Sequence, residues 1–311
     1  YDLIVTKEVI NFVPGIVPGI GMAMNCFTQK GDKVMIQPPV YHPFAWVTTR
    51  NERTLVINPL RWENGMYRMD LDAFREQIKG CKLFILCNPH NPGGVVWTEA
   101  ELRAIADICY DEKVLVFSDE IHADLTLPPH THRPFATVSE KARMNSVTFM
   151  SPSKAFNMPG LSASHALIFN EDLRKRFRIY MDAGELDMGH VFAFLSVEAA
   201  YSHGTEWLDQ CLAYIQGNID FVDEFLKKHA PKIKAIRPEA SYLVWLDCRE
   251  LELSQKDLNE FFVDKAHLAL NDGEMFGKEG IGFMRLNVAS PRCIIEKAMK
   301  QLADAYQLYI K

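Results

Sequence analysis

The chain lacks the marks of several large functional classes. Its seven cysteines (Cys26, Cys81, Cys87, Cys109, Cys211, Cys248 and Cys293) are scattered, odd in number and never spaced as CxxC. That argues against structural zinc and against a disulfide framework, and it reads as a reduced, cytoplasmic chain. No apolar run is long enough to span a bilayer, and the opening residues do not read as a signal peptide. Basic residues do not dominate: 34 Lys and Arg stand against 40 Asp and Glu, a net charge of -6. With no basic patch, a nucleic-acid partner is not expected. The glycines of Pro14-Gly15-Ile16-Val17-Pro18-Gly19-Ile20-Gly21 fit neither GxGxxG nor GxxxxGK[ST], so a dinucleotide or P-loop site is not indicated. Internal repeats and low-complexity segments are missing as well. The chain opens Tyr1-Asp2-Leu3-Ile4-Val5 without a methionine, as a fragment or a processed form would.

What is present is an ordinary globular composition, 48% hydrophobic and 24% charged over 311 residues. This length allows one large core, or a large domain with a small one. Short β-branched or aromatic runs at residues 33–37, 54–57, 83–87, 114–117, 147–150 and 165–169 read as strands. Several are apolar throughout, which suits strands covered on both faces of a mainly parallel sheet. Between them, residues 98–111 read as a helix. Thr98 is its N-cap, Glu101 completes a capping box, and Ala104, Ile105, Ile108 and Cys109 form the buried stripe. Alternating strands and helices predict an α/β fold. The rhythm changes after about residue 170. Residues 171–228 read as mostly helical, followed by strands at 233–236, 241–246 and 282–288, a helix near 254–265 and a last helix opening near Pro291. The expected organisation is a large domain over residues 1–204 and a small α+β domain over 205–311.

Three strand ends carry polar punctuation. They are Asn88-Pro89-His90-Asn91-Pro92-Gly93-Gly94, Ser118-Asp119-Glu120-Ile121-His122 and Ser151-Pro152-Ser153-Lys154-Ala155-Phe156-Asn157. A lysine, an aspartate and an asparagine at the C-terminal ends of three strands are a set able to hold pyridoxal phosphate. Lys154 can form an imine with an aldehyde cofactor and act as a base. Asp119 ends an apolar strand, where a protonated pyridine nitrogen would compensate its charge; a helix-capping aspartate is the plainer alternative. Asn91 could donate to a ring hydroxyl or simply serve a turn. His122 is either a neighbour of that hydroxyl or a structural histidine. Tyr41, after a strand and a double proline, is either a stacking ring or a core aromatic. The segment from Pro14 to Gly21 precedes a helical run through Phe27 and can supply backbone donors to a phosphate, and Ser151 can add a hydroxyl. Arg285 lies in an apolar strand and requires a carboxylate, from a substrate or from a structural salt bridge. His130 and His132 fall in a proline-rich segment with no completing ligands, so a solvated loop is expected there and no metal.

Together these residues resemble the fold-type I pyridoxal-phosphate enzymes, the class I and II aminotransferases in particular, from Pro14 to Arg292. Within them the likeness is greatest to the cystathionine β-lyase, or C–S lyase, branch related to the maltose-regulon modulator. It is carried by the three strand ends above, by Val96-Trp97-Thr98, and by Phe283-Met284-Arg285-Leu286-Asn287 with Ser290-Pro291-Arg292. The resemblance implies Lys154 as imine lysine and proton shuttle, and Asp119 on the pyridine nitrogen. It implies Asn91 on the ring hydroxyl, with His122 where many aminotransferases have tyrosine, and Tyr41 against the ring. It further implies Ile16, Val17 and Ser151 on the phosphate, Arg285 on the substrate α-carboxylate, and a homodimer. Two features depart from the family pattern. Ser162 stands eight residues after Lys154, where many aminotransferases have a phosphate-binding arginine. The family also carries a further N-terminal segment, which covers the site and lends a tyrosine to the neighbouring subunit's phosphate. The expected reaction is β-elimination from a sulfur amino acid. The alternatives are transamination by the same residues, or a regulatory binding role on the same fold.

Overall fold

A computed structural model describes residue 1 and residues 3–309; Asp2, at the opening noted above, and Ile310 and Lys311 lie outside the described residues. The strands, in chain order, are β1 (Ile10–Val13), β2 (Lys33–Ile36), β3 (Thr54–Ile57), β4 (Arg61–Glu63), β5 (Met66–Arg68), β6 (Cys81–Cys87), β7 (Leu115–Asp119), β8 (Ser146–Met150), β9 (Ser164–Leu167), β10 (Lys234–Ile236), β11 (Leu243–Asp247), β12 (Asn271–Asp272) and β13 (Phe283–Asn287). The helices are α1 (Ile16–Phe27), α2 (Pro43–Arg50), α3 (Leu71–Gln77), α4 (Glu99–Asp111), α5 (Glu140–Met144), α6 (Glu171–Asp182), α7 (Val191–His203), α8 (Thr205–His229), α9 (Gln255–Glu260) and α10 (Arg292–Tyr309).

Seven strands form the main sheet in the order β1-β9-β8-β7-β6-β2-β3. The pairs from β8 through β7, β6 and β2 to β3 are parallel, whereas β9 runs antiparallel to both its neighbours. The run at 165–169 is thus a strand as expected, but it is the reversed one. β1 was not legible: four residues with one apolar alternation are a weak signal until β9 supplies a partner. The β4–β5 hairpin was equally overlooked, although Asn64-Gly65 is a strong two-residue turn signal and both residues have positive φ, 51° and 81°.

Helix α4 starts as its sequence requires. The Thr98 hydroxyl accepts the Glu101 N–H at 3.2 Å, and the Glu101 carboxylate accepts the Thr98 N–H at 2.8 Å. Its buried face is Leu102, Ile105, Ala106, Ile108 and Cys109, while Ala104 is only half-buried. The helix expected near 254–265 is α-helical only to Glu260 and widens into a π turn over Phe261–Lys265.

A second, antiparallel sheet follows in the order β10-β11-β13-β12. One of its faces packs against α8, α9 and α10, with Val244, Leu246, Met284 and Leu286 meeting Val222, Leu258, Ile295 and Met299. Its other face sends Trp245 and Phe283, stacked at 5.2 Å, into the core that also holds Trp97, Phe84 and Tyr67. Alternate residues along β11 therefore serve two cores, which is the period-two rule of a strand. This packing brings the second sheet over the strand ends of the first. Helix α8 begins at Thr205, the residue at which the sequence is expected to enter its second part.

Candidate active site

A cavity of about 450 Å³ lies at the C-terminal ends of the parallel strands, where open α/β sheets hold their ligands. Each wall comes from a different turn. Pro14, Gly15, Ile16 and Val17 follow β1, Tyr41 and His42 follow β2, and Asn91 follows β6. Asp119 closes β7 with His122 just beyond, while Lys154 follows β8. Tyr242 and Arg285 reach in from the second sheet.

Asp119 is 4% exposed and accepts the Ile121 N–H at 3.1 Å. Burial lifts its carboxyl to about 7, and the neighbouring Glu120 charge adds to the rise. A carboxylate placed there makes no ion pair among the described residues, so a cationic ring nitrogen is the partner that would return it to its ionised form. His122, also 4% exposed, is held down to about 3 by burial and by the Lys154 and Arg285 charges, and is therefore neutral. Its Nδ1 has no hydrogen-bond partner among the described residues. Lys154 is half-buried and lines the cavity, with no ion pair among the described residues.

Arg285 donates from Nη1 to Asn91 Oδ1 at 2.9 Å and from Nη2 to Asn271 Oδ1 at 2.7 Å. Its guanidinium carbon lies 4.7 Å from the Phe276 ring centroid, and its Nε is buried without a partner. Burial lowers its pKa to about 10. No carboxylate pairs with it among the described residues. A desolvated and uncompensated guanidinium costs on the order of several kcal/mol, so an anionic ligand is the physical complement of this group.

The anion cradle is built by one glycine. Gly15 caps α1 with φ of 143°, and a Cβ there would lie 3.3 Å from the Pro18 ring. The chain thereby turns into the helix with the first backbone N–H groups, those of Ile16 and Val17, at the cavity wall.

Most of the residues singled out in the sequence meet here: Lys154, Asp119, Asn91, His122, Tyr41, Ile16, Val17 and Arg285 all line one cavity. Ser151 is the exception. It is 2% exposed, its hydroxyl donates to the Ala163 carbonyl at 2.7 Å, and it accepts the Ser153 N–H at 3.1 Å. The serines on the cavity wall are Ser153, Ser162 and Ser164. The hydroxyl expected on the phosphate is thus spent on the turn itself. His132 corrects another expectation: it is buried, with Nε2 2.8 Å from Glu120 Oε2. Glu120 also accepts from the Ser118 hydroxyl and the Phe135 N–H, so the proline-rich segment braces the residue next to Asp119. Tyr242, His42 and Cys87 were overlooked. Tyr242 was legible only as part of a strand, and His42 only as the neighbour of Tyr41.

Pyridoxal phosphate, the cofactor the sequence resemblance implies, meets complementary groups here. A helix start would hold the phosphate, the buried Asp119 carboxyl would take the cationic nitrogen, two unsatisfied buried nitrogens belong to His122 and Arg285, and an amine stands at Lys154.

Known proteins resemble this chain over most of its length. Residues 2–302 match the sequence profile of the aminotransferase class I and II family. The chain is 39% identical to cystathionine β-lyase PatB of Bacillus subtilis over 97% of its own length and 78% of that protein's. Among solved structures it superposes on cystalysin of Treponema denticola, which contains a pyridoxal 5′-phosphate cofactor, with a TM-score of 0.95. The identity there is 34%, over 97% of this chain and 77% of that one. It likewise superposes on the PLP-bound C–S lyase of Staphylococcus hominis, with a TM-score of 0.91 and 32% identity over 98% and 78% of the two chains.

Proposed function

The chain belongs to the class I and II aminotransferase family, and on that premise we propose that it is a pyridoxal-phosphate-dependent carbon–sulfur β-lyase of the cystathionine β-lyase type. The observation that carries this reading is the convergence of Lys154, Asp119 and the carboxylate-seeking Arg285 on one cavity. The names of relatives at 32–39% identity supply the reaction class.

When bound, pyridoxal phosphate supplies the electron sink that makes an amino acid's α-proton removable. The Ile16 and Val17 N–H groups would hold its phosphate, with the Ser153 and Ser162 hydroxyls on the same wall. Asp119 would take the ring nitrogen, Asn91 and His122 the ring hydroxyl, and Tyr41 one ring face. Arg285 binds the substrate α-carboxylate through its fork, and its stacking on Phe276 fixes the plane of that fork. Lys154 then accepts the proton from Cα. The Cβ–S bond breaks with its electron pair leaving on sulfur, and the thiolate takes a proton from the Lys154 ammonium. The three-carbon remainder takes up water and departs as pyruvate and ammonium. Neutral His122 keeps a second positive charge away from the Lys154 amine.

We further propose a cytoplasmic homodimer. The seven cysteines are free thiols, as a reducing compartment would leave them. On α7 and its approach Met188, Val191, Phe192, Phe194 and Leu195 are more than half exposed, an apolar patch that a second copy would cover.

The test is a product assay on the cofactor-loaded protein with L-cystathionine. Pyruvate, ammonium and thiol in equal amounts are expected, and Lys154→Ala should lower the rate by at least about 10³-fold. Formation of pyridoxamine phosphate without pyruvate would replace this reading with transamination.

A further inference from the structure

Glu120 is a buried acid that the proposed chemistry leaves unused. It follows Asp119 directly at the end of β7, outside the residues that line the cavity. Its side chain is fully buried, as is that of His132. Three donors hold the carboxylate. Oε1 accepts the Ser118 hydroxyl at 2.7 Å and the Phe135 N–H at 2.8 Å, and Oε2 accepts the His132 Nε2–H at 2.8 Å. The backbone is equally fixed. The Asp119 carbonyl accepts the Asn88 N–H, and the Glu120 N–H donates to the Phe149 carbonyl of β8. Asn88 also donates through Nδ2 to the Arg133 carbonyl at 3.1 Å, so the segment carrying His132 is tied to the ends of both β6 and β7.

These bonds do not account for a charge. Taking a carboxylate out of water costs on the order of several kcal/mol before its hydrogen bonds are counted. An amide would make the same three bonds. Its oxygen would accept from Ser118 and Phe135, and its nitrogen would donate to the other tautomer of His132, which among the described residues has no partner at Nδ1 to lose. What a carboxylate alone brings is its field. That field reaches Asp119, whose carboxyl Glu120 makes harder to ionise. A site that resists more negative charge favours a positive one. The other titratable groups around Asp119 do not supply this field. Burial raises the Cys87 thiol on β6 and the Tyr41 phenol after β2, which keeps both uncharged. His122 is neutral, and the Lys154 charge after β8 acts in the opposite sense. On the far side of the pair the Tyr1 ring meets His132 edge-on at 5.4 Å, and burial raises its phenol too.

We propose that Glu120 is a second carboxylate behind the cofactor's ring nitrogen, acting by its field through Asp119, and that His132 is the positioning residue that holds it there. Glu120 touches neither cofactor nor substrate. Its charge strengthens the hold on a cationic nitrogen and so keeps the ring an electron sink. The inference rests on Asp119 taking the ring nitrogen, and it is independent of whether the reaction is elimination or transamination.

The test uses Glu120→Gln, which keeps the bonds and removes the charge. Calorimetry on the cofactor-stripped protein compares pyridoxal phosphate with an analogue whose ring nitrogen is replaced by carbon. In the variant, Kd for pyridoxal phosphate should rise about fivefold and that for the carbon analogue less than about twofold. Equal losses on both, as a merely structural role would give, or none on either, would overturn the proposal. A second reading needs no cofactor. With aspartate labelled at its carboxyl carbon, the NMR titration midpoint of Asp119, about 7 in the wild type, should fall by about one unit in Glu120→Gln. An unchanged midpoint also overturns it. Should Glu120→Gln fail to fold, Glu120→Met with His132→Phe removes acid and donor together, an exchange that buried ionic sets often tolerate, and the same two readings apply. Asp119→Asn separates the premise: if it weakens both ligands alike, the placement of Asp119 on the ring nitrogen fails, and the Glu120→Gln comparison still decides whether the second charge acts on that nitrogen.

Discussion

Arg285 and Asp119 are the residues whose physical state most needs a ligand. Arg285 is held by Asn91, Asn271 and Phe276 and has a buried Nε to spare. Replacing it with lysine keeps the charge and loses the fork. Steady-state kinetics on Arg285→Lys should show kcat/KM lower by about 100-fold, the equivalent of one charge-assisted bidentate contact. Cofactor affinity, read from the visible absorbance, should stay within about twofold. Asp119 gives a pH prediction. Its folded pKa of about 7 lies above the ordinary 3.8, so between those values the native state of the cofactor-stripped protein binds more protons than the unfolded chain. Its contribution to stability is therefore intact below about pH 4 and is lost as pH rises through 7. His122, held down to about 3, acts oppositely and loses stability as pH falls below its ordinary range. Comparison with Asp119→Asn isolates the carboxyl. In urea unfolding of the stripped proteins, the variant should gain on wild type by on the order of 2–4 kcal/mol between pH 4 and 8. A gap that stays flat with pH would refute this. The chemical identity of both residues was legible in the sequence because a charge inside an apolar strand needs a partner. Ser151 shows the limit: one hydroxyl can serve either a phosphate or its own turn, and only the position of the Ala163 carbonyl decides which.

At the scale of elements, the turn after β6 joins the two sheets. Gly94 has φ of 68°, accepts the Glu239 and Ala240 N–H groups through its carbonyl, and donates to His90. A Cβ at Gly94 would lie 2.5 Å from the Pro238 Cβ and 2.8 Å from its Cα. Gly94→Ala should thus lose about 1–2 kcal/mol to the left-handed backbone and more to the displaced 238–240 segment. The same displacement tilts the second sheet, and Arg285 with it. Chemical denaturation should show the stability loss, and substrate KM should rise in parallel. An unchanged midpoint would show that this turn does not couple the sheets. The glycine pair was visible as a turn signal, whereas its contact with residues 238–240, more than 140 positions away, was not. Runs such as 83–87 were legible because apolar residues fill both faces of a central parallel strand. β1 was harder, since an edge strand is defined by its partner as much as by its own residues.

At the scale of the whole molecule, the exposed apolar face of α7 argues for assembly. Phe192 is 67% exposed and Leu195 55%, on a helix whose one buried residue is Ala193. Light scattering on the wild type should give a dimer. Phe192→Glu with Leu195→Glu should give a monomer with the same helical content by circular dichroism. A wild-type monomer with full lyase activity would rule out the proposed assembly. The patch escaped the sequence reading because apolar residues recur almost evenly around α7, so no stripe marks an outward face.

The sequence by itself determined the α/β class, the strand ends and the chemistry placed on them. These depend on local periodicity, on turn residues and on the cost of burying a charge, all of which act over a few residues. Only the tertiary structure decided which polar groups share a cavity, which hydroxyl faces it and which is consumed by a turn. Those outcomes depend on how the second sheet packs over the first, through Trp245, Phe283 and the Gly94 turn, and on contacts between residues far apart in the chain.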